Sequence, residues 1–145
     1  MQTFEGNCLC GKNAFRIAVS EEKFSTCHCG LCRQQTGGPL MMIDGFEQPD
    51  FEHPAHLTTY HSSEWGERQF CPTCGTILFC RERHKDEGAF CAVNVFALNE
   101  QARFSMKHQI FIDDKPDSYA LAGDIPSLTG AEVFASFGKK ENNDA

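Results

Sequence analysis

A chain of 145 residues, 41% hydrophobic and 23% charged, is the size of one domain and long enough to bury a core, which excludes wholesale disorder. Its formal charge of −7, with 13 basic residues scattered apart from Arg81-Glu82-Arg83-His84-Lys85, excludes a broad nucleic-acid or anionic-membrane surface; that basic run reads as a solvated turn. No apolar run approaches the ~18 residues of a membrane span, and Met1–Gly6 lacks the basic and apolar regions of a signal peptide, so a cytoplasmic protein without nucleic-acid or membrane partners is expected.

In chain order, Cys8-Leu9-Cys10-Gly11 leads into a strand over Asn13–Val19, where Phe15, Ile17 and Val19 share one buried face. A polar turn, Ser20–Lys23, is followed by extended Phe24-Ser25-Thr26 and the dense stretch Thr26–Gly38, which holds Cys27, Cys29 and Cys32. Gly30–Thr36 has room for a short helical turn that Gly37-Gly38-Pro39 ends. Strands are expected over Leu40–Phe46 and Leu57–His61, with Arg68-Gln69-Phe70 delivering the chain to Cys71-Pro72-Thr73-Cys74-Gly75. Another begins at Thr76, a central one runs over Ala89–Phe96, and a further extended segment covers Phe104–Ile112. Asp113–Asp117 is a turn signal, and Leu128–Phe137 reads as a short strand or an irregular edge. About eight extended segments and no amphipathic helix of ~12 residues give a mainly β domain.

Nine cysteines in a chain without an export signal point to metal or chemistry rather than to disulfides, because the cytosol keeps most thiols reduced. Side chains two apart on a strand share a face, so Cys8 with Cys10, and Cys27 with Cys29, can each grip one ion. Cys71 and Cys74 have the spacing of a zinc knuckle. Joined to Cys8 and Cys10 they make a closed four-thiolate structural site with Zn–S near ~2.3 Å.

That division leaves Cys27, Cys29 and Cys32 as three ligands for a second zinc, the number that commonly leaves a catalytic position open. Two alternatives stand beside it. The trio takes a fourth ligand from Cys80, Cys91 or a histidine, or Cys27 and Cys32 pair with Cys71 and Cys74. Three thiolates on one Zn2+ give a net charge of −1, a weak Lewis acid better matched to a thiol substrate than to making hydroxide. His28, between two ligands, faces away from their metal as a packing or supporting group, with a substrate contact as the sharper option. Cys80 and Cys91 read as small core hydrophobes, and His108 as structural.

Gly6-Asn7-Cys8-Leu9-Cys10-Gly11, Cys27-His28-Cys29-Gly30-Leu31-Cys32-Arg33 with Thr36-Gly37, and Phe70-Cys71-Pro72-Thr73-Cys74-Gly75-Thr76 together resemble the glutathione-dependent formaldehyde-activating enzyme family, whose domain is shared with centromere protein V. The resemblance covers about residues 4–120. It implies a single zinc-stapled domain of the Mss4-like, or β-tent, kind, assigned to 1–138, while the polar residues 139–145 read by composition as a disordered tail. It also implies a structural zinc on Cys8, Cys10, Cys71 and Cys74, and a catalytic zinc on Cys27, Cys29 and Cys32. The implied activity is that of a carbon–sulfur lyase handling the adduct of glutathione with formaldehyde. Beside that implication, Arg33, next to the last ligand of the trio, reads either as a group that helps hold a carboxylate of the thiol or as a surface ion-pair partner. The chain departs from the family pattern after Lys115-Pro116-Asp117, where Ser118 precedes Tyr119 and an aromatic residue is usual. The rival expectations are a non-catalytic zinc-stapled binding domain, or a related enzyme for another aldehyde, imine or thiol adduct.

Overall fold

The computed structural model describes residues 1–85 and 88–136; the expected tail, 139–145, lies outside the described residues. They fall into two compact units, one from Met1–Phe24 and Met41–Ser105, the other from Ser25–Leu40 and the described residues from Met106 onward. The chain is mainly β. Its strands are β1 (Gln2–Asn7), β2 (Ala14–Val19), β3 (Lys23–Cys27), β4 (Leu40–Gly45), β5 (Asp50–Phe51), β6 (Thr58–Tyr60), β7 (Gly66–Phe70), β8 (Ile77–Glu82), β9 (Cys91–Asn94), β10 (Ser105–Ile110) and β11 (Ser127–Leu128), with one short helix, α1 (Gly30–Thr36), after β3. Among the described residues no helix is long and apolar enough to cross a membrane.

In the first unit β1, β2 and β5 make a small antiparallel sheet. Phe15, Ile17 and Val19 point into the core as their alternation requires, and Phe4 of β1 lies opposite Ile17. β1 was not expected from the sequence, because Phe4 is its one large apolar residue; pairing with β2 supplies what its own pattern lacks. A second run of strands in this unit has the order β4-β9-β8-β7-β6. Phe15, Phe51 and Phe79 join the sheets through ring contacts at 5.2 and 5.5 Å, while Phe4 meets Phe104 edge-on at 5.0 Å.

Three expectations about strand ends need correction. The strand expected to reach Phe96 stops at Asn94, whose side chain accepts from the Phe96 backbone N–H at 3.0 Å and starts a 3-10 turn over Val95–Ala97. The basic run is not wholly a solvated turn, because Arg81 belongs to β8 and its Nε donates to the buried Glu67 carboxylate at 2.6 Å.

The third lies in the second unit, whose strands have the order β11-β10-β3. Here, of the expected Leu128–Phe137 edge, only Leu128 is extended, as the end of β11 running parallel to β10, residues 130–136 are helical, and Phe137 lies outside the described residues. The reason is a capping box. The Glu132 N–H donates to the Thr129 hydroxyl at 3.2 Å and the Thr129 N–H donates to the Glu132 carboxylate at 3.0 Å.

Candidate metal centres

In the first unit, Cys8, Cys10, Cys71 and Cys74 come together with their sulfurs all within 4.8 Å of one another. Two similar knuckles present them. The Gly11 N–H donates to the Cys8 carbonyl at 3.0 Å and the Gly75 N–H to the Cys71 carbonyl at 2.8 Å, and both glycines have a left-handed backbone, φ 81° and 77°. A side chain there would be strained, so glycine closes each turn. Thr76 is the crosspiece. Its hydroxyl accepts from the Leu9 N–H at 3.1 Å and lies 3.1 Å from Cys74 Sγ. That hydroxyl contact is the main reason the Cys74 thiol is drawn down to about 5.

In the second unit, Cys27, Cys29 and Cys32 form a separate group with the same spread of sulfurs. Cys27 ends β3, Cys29 caps α1, and Cys32 is the buried residue of the helix. The cap is made by sulfur itself, with Cys29 Sγ accepting from the Cys32 N–H at 3.5 Å, so the first helical turn swings the third thiol back toward the other two. Gly37, at φ 81°, ends the helix where Gly37-Gly38-Pro39 was expected to. Hydrogen bonds with Cys29 and Cys32, followed by burial, push the Cys27 thiol far up. Three sulfurs this close cannot all ionise without a cation among them, and a divalent ion matches both the crowding and the donor type.

Cys80 and Cys91 join neither group, and no histidine does among the described residues. Cys91 is buried, and burial pushes its thiol up to about 12. Cys80 is half-buried on β8.

His28 is 0% exposed and bonded at both ring nitrogens. Nε2 lies 2.8 Å from Gln109 Oε1 and Nδ1 lies 2.7 Å from the Tyr119 hydroxyl. Since a carbonyl oxygen only accepts, Nε2 carries the proton in the neutral ring and Nδ1 accepts from Tyr119. The His28 N–H also donates to the Ile110 carbonyl at 3.1 Å. Both ring nitrogens are thus engaged within the protein, and the residue braces the segment between Cys27 and Cys29 against β10 and Tyr119.

Arg33 is half-buried beside Cys32, its Nε donating to the His28 carbonyl at 3.0 Å and its terminal nitrogen to the Asp114 carbonyl at 3.2 Å. Gln109, Asp114 and Tyr119 were not picked out from the sequence as parts of this site. Tyr119 supplies the aromatic side chain one position beyond Ser118.

A family model described as glutathione-dependent formaldehyde-activating enzyme matches residues 3–114. An uncharacterised lyase of Schizosaccharomyces pombe is 32% identical over 139 residues, covering 96% of this chain and 100% of that protein. A solved Rhodobacter sphaeroides protein is 18% identical with a TM-score of 0.54, covering 70% of this chain and 98% of its own, a likeness of fold alone.

Proposed function

This chain belongs to the glutathione-dependent formaldehyde-activating enzyme family, and on that premise we propose that it is a carbon–sulfur lyase that joins a thiol to a small aldehyde and cleaves the adduct in reverse. The observation that carries this reading is the division of seven thiols into a group of four and a group of three. Zinc is the metal proposed for both, since all-thiolate sets are soft. Cys8, Cys10, Cys71 and Cys74 would hold a structural ion, and Cys27, Cys29 and Cys32 a second one. Bound to the trio, zinc would supply affinity for sulfur and polarising charge at the position that three ligands leave open.

The remaining work is orientation. Glutathione and formaldehyde are the substrates favoured by the family description. In the joining direction the thiol loses its S–H proton, a bond forms between sulfur and the carbonyl carbon, and the former carbonyl oxygen ends protonated, giving S-(hydroxymethyl)glutathione. Arg33 is anchored through two of its five N–H groups to backbone carbonyls, which leaves donors to orient a carboxylate of the thiol. His28 holds the loop between Cys27 and Cys29 in place through β10.

The test is exchange NMR on glutathione and formaldehyde with and without the protein. The expected result is exchange faster than the spontaneous rate, lost in Cys32→Ser. Equal rates with and without the wild-type protein would refute the formaldehyde assignment. About two zinc ions per chain, one labile to added thiol, fits the lyase; a single tightly held ion fits a non-catalytic module.

A further inference from the structure

One cluster near the trio is not used by the reading above. Lys115 Nζ donates to the Pro116 carbonyl at 2.9 Å and to the Tyr119 carbonyl, and sits 5.0 Å above the centre of the Tyr119 ring. An ammonium has three donors, so one remains. The ring beneath it is fixed in turn, because the Tyr119 hydroxyl is committed to His28 and His28 to Gln109. Arg33 is tied to the same segment, bonded to the carbonyl of Asp114, the residue before Lys115.

Charge accounting makes this arrangement unusual. The chain carries 20 acidic against 13 basic residues, yet among the described residues neither Arg33 nor Lys115 is ion-paired with a carboxylate. Two half-buried cations held by neutral carbonyls and an aromatic face keep their full charge for an incoming anion. Cation–π contact orients an ammonium without neutralising it.

We propose that Lys115 and Arg33, with Tyr119 positioning the lysine, form a carboxylate-accepting wall beside the Cys27/Cys29/Cys32 group, and that its ligand is a carboxylate of an anionic thiol. This inference rests on the lyase reading for the identity of the thiol, glutathione. It adds Lys115 and Tyr119 to the binding residues and makes selectivity among thiols a matter of charge: a neutral thiol reaches the trio without engaging the wall.

The experiment is titration calorimetry on the zinc-loaded full chain, using glutathione, glutathione diethyl ester and 2-mercaptoethanol as probes, with the NMR exchange assay run in parallel. Lys115→Gln is expected to weaken glutathione binding about tenfold, the loss of one charge-assisted hydrogen bond, and to leave 2-mercaptoethanol unchanged. Lys115→Arg should restore most of the loss. Tyr119→Leu, which removes the platform but not the cation, should weaken glutathione selectively by a smaller factor. In exchange, Lys115→Gln should raise KM for glutathione with little effect on kcat.

Equal weakening for glutathione and 2-mercaptoethanol would overturn the proposal in favour of a loop clip, as would wild-type binding that ignores esterification or no detectable glutathione binding. Charge-selective binding without accelerated exchange would uphold the wall and sink the lyase reading. Accelerated exchange with an unchanged Lys115→Gln variant would do the reverse.

Discussion

Replacing His28 by phenylalanine is the sharpest test of how the trio is held. The ring volume is nearly kept, so cavity terms are small, but both ring nitrogens disappear. Gln109, 7% exposed, loses its 2.8 Å partner in a place with little access to water, at a cost of about 1–3 kcal/mol for an unsatisfied buried polar group. Tyr119 is half-buried and its hydroxyl can be partly rehydrated, adding about 0.5–1 kcal/mol. The total of about 2–4 kcal/mol corresponds to a fall in Tm of about 5–15 °C for a chain of this size. The assay is thermal and urea unfolding at fixed excess zinc, with metal content measured so that ion loss is not mistaken for lost packing. A double-mutant cycle with Tyr119→Phe should return a coupling of about 0.5–1.5 kcal/mol. A Tm within about 2 °C of wild type, together with zero coupling, would refute the role given to His28.

If the four-thiolate group holds the proposed structural zinc, Cys71→Ser should lower zinc content by at least one ion per chain and leave the protein largely unfolded, because a structural zinc contributes about 10–16 kcal/mol, more than the whole stability of most domains; circular dichroism with metal analysis reads both. Cys91 gives a pH prediction with a definite sign. Its thiol is raised in the folded state from 9.0 to about 12, so the folded state favours the proton, and the associated stability is present below pH 9 and lost as pH climbs toward about 12. The difference in unfolding free energy between wild type and Cys91→Ala should shrink over that window by at most about 4 kcal/mol. A pH-independent difference would contradict it. Thr76→Val removes the crosspiece between the knuckles and should cost about 1–2 kcal/mol while raising the Cys74 pKa, seen as slower alkylation of the metal-free protein at pH 6–7.

The two thiol groups were legible because cysteines that gather in space can be written in short spacings. Cys27, Cys29 and Cys32 lie within six residues, and the helical turn that folds them together has the bounds read from Gly30, Thr36 and the glycines after it. What surrounds them was not legible, since His28 meets Gln109 and Tyr119 across separations of 81 and 91 residues. No local pattern in a histidine between two cysteines names such partners. The helical segment after Leu128 is a different case. Thr129-Gly130-Ala131-Glu132 carries the capping box in plain order, and the apolar residues that follow mask it by reading equally well as an edge strand.

The two thiol groups also differ in when they can exist. During synthesis the trio is complete as soon as Cys32 has emerged, whereas Cys8 and Cys10 must wait for Cys71 and Cys74, with Cys10 and Cys71 61 residues apart. Closing the larger loop costs roughly 2 kcal/mol more in chain entropy than closing the smaller. The site proposed to be structural would therefore be the later one to form, and until it does the growing chain exposes two thiols that can take up only a partial grip. Thr76, immediately behind the last knuckle, is where that wait ends: the residue that links the two halves is among the first to follow the final ligand.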